Sequence, residues 1–326
     1  MKKILHVILI LLFILTVNSC AKKSSDDSKT NTDNTTTDNT TSSALFIAVG
    51  GSGTLLTSPD GTTWTAQTSG TSNDLRSVAY GNSILVVVGF SGTVLRSTDG
   101  TTWNDATALS TTTDNLTNVT YGNNTFMAVG GSGTIITSSN GINWTSKTSG
   151  TSENLWDVAY GNSTWVANGD NGTIISSSDG TSWDNRTSGT TVEFNELIYG
   201  NSTFAAIGDN ATILTSSDGT TWTNSCCNDI TNNLYGGYYS VTASGSKVHV
   251  TVGQSGKIVW SSNNGSSWNT WDASITTNIL GIAHGAGTQV FVGSSGTIYT
   301  AADGVDDATA RTSGTTNYLR RVFYIE

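Results

Sequence analysis

The sequence predicts an all-β fold, a seven-bladed propeller of four-stranded antiparallel blades, and three observations predict it. The pattern Ser-x-Asp/Asn-Gly-x-x-Trp occurs six times, with tryptophans at Trp64, Trp103, Trp144, Trp183, Trp222 and Trp268, spaced 39, 41, 39, 39 and 46 residues apart. Between the copies lie short β-rich runs broken by Gly and Asn, with one proline in the whole chain and no helical periodicity in the repeats. From Ala44 to Glu326 the chain divides into seven periods of about 40 residues, the length of a propeller blade.

Residues 1–19 read as a lipoprotein signal peptide. Lys2 and Lys3 precede a mainly apolar run from Ile4 to Val17 that is short for a membrane span, and Val17-Asn18-Ser19-Cys20 resembles a lipobox. Cleavage before Cys20 and lipidation of its thiol and new amino group are expected. Residues 20–43 then hold the lipidated Cys and a Ser/Thr/Asn/Asp tether that cannot bury enough surface to offset its ordering entropy. The expected address is the bacterial cell envelope, at the outer membrane, periplasmic or surface-exposed, with membrane contact through the lipid alone.

Removing the leader takes two lysines and no acid from the 14 basic and 24 acidic residues, which leaves a net charge of −12. Such a balance argues against nucleic acid as a partner, because phosphate contacts need clustered Lys and Arg.

The repeated box itself is turn chemistry. Its Asp or Asn accepts bonds from nearby backbone N–H groups, its Gly supplies positive φ, and its Trp packs the turn onto its own or the neighbouring sheet. The structural positions are Asp60 and Trp64, Asp99 and Trp103, Asn140 and Trp144, Asp179 and Trp183, Asp218 and Trp222, and Asn264 and Trp268, with a decayed seventh copy at Asp303. One carboxylate per box, replaced twice by Asn, does not make a metal cage. No metal and no cofactor are expected.

Within a repeat, Leu75 to Tyr80, Ile84 to Val88, Thr93 to Ser97 and Thr102 to Asn104 read as strands running from the centre to the rim. First strands are placed at Leu75, Leu116, Leu155, Phe194, Tyr238, Ile279 and Leu319. The chain begins its repeats on a second strand, Leu45 to Val49, and ends on a first strand, Leu319 to Tyr324. The two termini are therefore expected to share one blade and close the ring, removing open sheet edges.

On the first strands the repeats disagree: Arg76, Thr117, Trp156, Asn195, Tyr239, Leu280 and Arg320, followed by Ser77, Asn118, Asp157, Glu196, Ser240, Gly281 and Arg321. A mixed-charge, partly aromatic mouth made of Arg76, Trp156, Asp157, Glu196, Tyr239, Arg320 and Arg321 would suit a peptide or glycan; the same residues could instead satisfy one another across a wet channel. The long interval from Trp222 to Trp268 suggests an insertion between Ser225 and Tyr239, and Cys226-Cys227 within it match neither a zinc site nor a disulfide framework. His249 and His284 have no neighbouring nucleophile in sequence and read as ordinary core or surface residues.

The box resembles the Asp-box of BNR-repeat proteins, which include sialidases, sortilin-type receptor domains, two-propeller xyloglucanases and the Ycf48-like photosystem II assembly factors. The resemblance covers essentially all of Ala44 to Glu326, and because the box is a structural turn it carries over fold and not activity. The sialidase resemblance would imply an Arg-Ile-Pro motif; the one proline here is Pro59, inside a box. The xyloglucanase type implies two propellers, and this chain has residues for one. The Ycf48-like resemblance implies a scaffolding role with a basic patch, for which this acidic chain lacks a comparable arginine cluster.

The expected function is accordingly an envelope-anchored, monomeric binding or scaffolding module that holds a protein, peptide or glycan. The competing expectation is a carbohydrate-active hydrolase of sialidase-like propeller architecture using Asp157 and Glu196. Pairing of those carboxylates with Arg76, Arg320 or Arg321 would count against it.

Overall fold

In the computed structural model, residues 44–225, 230–242, 245–302 and 307–326 are described. The leader, Cys20, the tether, Cys226, Cys227 and Asp303 lie outside them. Seven four-stranded antiparallel sheets form the blades of a propeller, and the sheet that holds Leu45–Gly50, Leu55–Ser58 and Thr65–Ala66 takes its innermost strand, Leu319–Ile325, from the C-terminus. We number the blades by their inner strands: Leu75–Gly81 (1), Leu116–Gly122 (2), Leu155–Gly161 (3), Phe194–Gly200 (4), Leu234–Val241 (5), Ile279–Gly285 (6) and Leu319–Ile325 (7).

The hydrophobic core is divided among seven seams between adjacent blades. Between blades 1 and 2, for example, Val86, Val88, Leu116, Phe126 and Ala128 pack with Trp144. Each second strand is buried on both faces, as in Ile84–Gly89, whose six residues are all buried. This explains the continuous apolar runs: alternation would leave one face of each small sheet unsuited to its neighbour. The outer strands, two or three residues each, are largely exposed, which leaves only short free edges.

The boxes are the predicted turns. Asp99 Oδ1 accepts from the N–H groups of Thr101 (2.8 Å) and Thr102 (2.7 Å), and Ser97 Oγ accepts from Gly100 N–H at 2.9 Å. Asn140 performs the same role for Ile142 and Asn143. The tryptophans plug the seams, but their indole N–H groups differ from expectation. Trp64 and Trp103 donate to Gly61 O and Gly100 O, whereas Nε1 of Trp144, Trp183, Trp222 and Trp268 is buried without an acceptor. In blade 5 the box is one residue longer than read from sequence. Ser261 and Asn263 make the capping bonds, and Asn264 is the extra residue, at φ +58.

Blade 5 requires a second correction. Its inner strand starts at Leu234, four residues before Tyr238, since Leu234 pairs with Gly253 as Leu75 pairs with Gly89. Trp222 to Leu234 is one residue longer than Trp183 to Phe194, so nearly all of the extra length is not between Ser225 and Tyr239. It lies in the inner hairpin, which pairs Tyr239 with His249 where blade 1 pairs Tyr80 with Leu85, and in the extended box. The run Asn233-Leu234 matches Asn115-Leu116 and Asn154-Leu155 and carries the correct register; the tyrosine cluster obscured it.

Candidate functional site

All seven inner strands carry a β-bulge one residue from their start, at Arg76, Thr117, Trp156, Asn195, Tyr235, Leu280 and Arg320. A bulge takes its residue out of the ladder and re-aims the side chain. Here the bulges ring one mouth of the central channel, beside the loops that join second to third strands. At five junctions those loops are held by the same bond. The left-handed loop residue donates its N–H to the side chain that precedes the next inner strand: Ser52 to Asp74, Ser91 to Asn115, Ser132 to Asn154, Asn210 to Asn233 and Ser255 to Asn278, at 2.8–3.1 Å. The remaining two junctions carry Glu193 and Tyr318 at that position.

Of the mouth residues predicted from sequence, Arg76, Trp156 and Arg320 do occupy this rim. Trp156 Nε1–H donates to Asp170, which also accepts from Asn154 Nδ2 at 2.8 Å. Glu193 lies near Asp170 and Asp209, and burial, followed by those two charges, raises its pKa. On the other side, Arg76 sits 5.1 Å from the Phe90 ring centroid, with its Nε buried and unpartnered. Arg320 Nη1 donates to the bulge carbonyls of Tyr235 (3.1 Å) and Leu280 (2.9 Å). Burial and the nearby Arg76 lower its pKa to about 10, so it remains charged at neutral pH. The mouth thus has an acidic side at blades 3 and 4 and a guanidinium side at blades 7 and 1.

One residue deeper, Arg321 of blade 7 meets both carboxylate oxygens of Glu196 on blade 4 through Nη1. Asp157 beside them is 2 % exposed. Its Oδ1 accepts from its neighbour Val158 N–H at 2.7 Å, and its Oδ2 accepts from Leu197 N–H on the next blade at 2.9 Å. Burial and then Glu196 push Asp157 well above the usual carboxylate range, against the opposing pull of Arg321. Glu196 is therefore paired with Arg321, and Asp157 is held by backbone N–H groups. The pairing of Glu196 with Arg321 counts against the hydrolase reading, because the two carboxylates do not present a free acid and a free nucleophile.

Tyr239 does not belong to the mouth. It occupies the far end of the channel in a ring with Tyr80, Tyr121, Tyr160, Tyr199, His284 and Tyr324, each five residues after the first residue of its inner strand. The error follows from the four-residue shift in blade 5. The ring carries no contrast between repeats to mark it in the sequence, since blades 1 to 4 share the same Tyr-Gly dipeptide. Asp170, Glu193 and Asp209 were also missed, since isolated acids in loops carry no motif. His249 is buried, with its pKa lowered by burial, and its ring lies 5.0 Å from Tyr239. Among the described residues no group of three or more His, Cys, Asp or Glu side chains could hold a metal.

No family model matches the chain, and no curated protein sequence matches it. Solved structures do. A Ycf48 bound to a D1 peptide is similar with a TM-score of 0.57 at 17 % identity, over 74 % of this chain and 81 % of that one. Ycf48 from Cyanidioschyzon merolae gives a TM-score of 0.57 at 15 % identity, over 74 % and 86 % of the two chains. The WD40 propeller domain of Doa1 gives 0.54 at 14 % identity, over 81 % and 87 %. At these identities the likeness is one of fold.

Proposed function

We propose that this propeller is a protein-binding scaffold that grips an extended peptide segment at the Trp156 mouth. The observation that carries the reading is the contrast within the repeats. Seam residues, boxes and inner-strand ends recur from blade to blade, whereas the bulge positions alternate among Arg76, Trp156, Asn195, Tyr235 and Arg320. Bulges present those side chains clear of the sheet, and an aromatic and guanidinium set on a rigid scaffold has the composition of a peptide-contact surface. The fold's similarity to a Ycf48 captured with a D1 peptide supports a peptide as the kind of partner.

The envelope address belongs to the same proposal. The chain joins the propeller at Leu45, which pairs with Ile325 next to Tyr324, at the tyrosine end of the channel. Anchored through Cys20, the propeller would be held from its tyrosine end.

The test is capture of envelope proteins on the propeller unit (Ser42–Glu326), alongside the same unit carrying Trp156→Ala and Glu193→Ala. A partner held by the first and lost from the second supports the mouth. Equal retention by both would sink it.

A further inference from the structure

The opposite end of the channel is a second, separate site. Arg321 reaches across from blade 7 to Glu196 of blade 4, and with Asp157 the pair forms the floor of a cup at that end of the channel. Its volume is about 320 Å³, at the small end of the range for ligand pockets, roughly 300–1,000 Å³. The floor is Asp157, Glu196 and Arg321, and the wall includes Tyr121, Tyr160, Tyr199 and Tyr324.

The wall is rigid. Each ring lies against a glycine of the preceding blade: a Cβ added to Gly122 would stand 2.4 Å from Tyr160, and one added to Gly285 would stand 2.2 Å from the Tyr324 ring. Behind them, Tyr160 leans on Trp165 and Tyr324 on Phe46, at ring separations of 4.8 and 4.6 Å. Where blade 6 has His284 in place of tyrosine, the facing glycine is replaced by Ser240, whose Oγ lies 2.8 Å from His284 Nδ1. The ring is preserved through that exchange of partners.

The floor favours an uncharged ligand with many hydrogen-bonding groups. Glu196 and Arg321 neutralise each other, and burial favours the proton-bound form of Asp157. An anion would meet two carboxyl groups, and a cation would meet a guanidinium. Arg321 nevertheless keeps 24 % of its side chain exposed, and among the described residues only its Nη1 is engaged, so Nε and Nη2 remain as donors.

From this combination of half-buried aromatic wall, hydroxyl groups and an ion-paired floor with free N–H donors, we propose that the tyrosine cup binds an uncharged sugar ring. One face of a pyranose would pack against tyrosine, with its hydroxyls meeting Arg321 and the tyrosine hydroxyls. The site stands apart from the peptide mouth, so either reading can fail alone.

The experiment is titration of the purified full chain with methyl β-D-glucopyranoside, methyl β-D-galactopyranoside and N-acetylglucosamine. Gluconate and choline serve as the anionic and cationic probes, and ligand-observed NMR as the readout. At least one sugar should bind saturably and more tightly than either charged probe. Tyr160→Phe with Tyr324→Phe keeps both rings, and it should weaken that sugar about tenfold while leaving the melting temperature near wild type. Trp156→Ala should leave sugar binding unchanged. The proposal is overturned if no sugar saturates, if a charged probe binds more tightly, if the double variant binds as wild type, or if Trp156→Ala abolishes binding.

Discussion

Arg321 and Glu196 belong to blades 7 and 4, on opposite sides of the ring, and their ion pair crosses the channel. A contact between adjacent blades would only reinforce a seam. This one ties the C-terminal strand to the far wall, between the Trp156 rim and the tyrosine end of the channel.

Breaking the pair from one side should therefore be costly. Glu196→Gln leaves a guanidinium that is only 24 % exposed without its counter-charge, and a loss of roughly 3 kcal/mol is expected. Replacing both partners, with Glu196→Gln and Arg321→Met, should recover a substantial part of that loss, because no unpaired charge remains. Urea unfolding of the wild type, both single variants and the double variant forms the cycle. Additive losses in the double variant would show that the pair is not coupled.

The Asp-box can be tested by the substitutions that the protein itself contains. Asp99→Ala removes the acceptor for Thr101, Thr102 and Ser97 and should cost about 1 kcal/mol. Asp99→Asn should cost a fraction of that, since Asn140 makes the same bonds in blade 2. The bonds to backbone N–H hold the Asp99 carboxyl well below the usual carboxylate range. Its folded pKa is lowered, so its contribution is present above the unfolded value and is lost as pH falls through the folded one. Asp99→Asn should flatten that acid loss in thermal melts below pH 4.

Packing at the tyrosine ring should be equally specific. A Cβ on Gly161 would lie 2.3 Å from the Tyr199 ring, which leans on Phe204 and is bonded to Asn162. Gly161→Ala is expected to cost about 3 kcal/mol, the upper end for overpacking. Gly70→Ala is the control: it has open space but φ +76, and about 1 kcal/mol of backbone strain is expected there. Equal losses in chemical denaturation would mean that the ring can move aside.

How much of this was legible follows from what repeats. Six boxes at near-constant spacing set the blade length, seven first strands set the count, and the second-strand start at Leu45 with the first-strand end at Leu319 foretold the shared blade. Periodicity, however, exposes only differences between aligned residues. It pointed to Trp156 and Arg320, but it hid the tyrosine ring, whose members agree, and it failed in blade 5, where five residues added to a hairpin moved the alignment from Leu234 to Tyr238. Contacts across the ring, such as Glu196 with Arg321 at a separation of 125 residues, have no signature in a repeat pattern.

The raised pKa of Asp157 predicts a pH dependence of the opposite sign to that of the boxes. A carboxyl whose folded pKa lies above its unfolded value contributes stability at low pH that is lost as pH rises through the folded pKa. Asp157→Asn cannot ionise, although it loses one backbone bond because its amide NH₂ faces an N–H donor. Wild type should exceed the variant in melting temperature near pH 4, and the gap should narrow as pH rises toward 8. A gap that is constant with pH would mean that Asp157 does not change its proton occupancy on folding in this range.

Ring closure gives the last prediction, removal of residues 319–326. Leu319, Val322 and Ile325 are buried, at roughly 1.5–3 kcal/mol each. The same strand supplies the Arg321 pair and the Arg320 bonds to blades 5 and 6. Its loss would also strip the partner from Leu45–Gly50, whose residues 46–50 are all buried, and expose an apolar sheet edge. The sum rivals the 5–15 kcal/mol by which domains of this kind are stable. Calorimetry of the truncated chain should therefore show loss of the main unfolding transition and concentration-dependent aggregation. If the blades were independently stable, the transition would persist with only the blade 7 contribution removed. An unchanged melting profile would mean that the shared blade does not hold the ring closed.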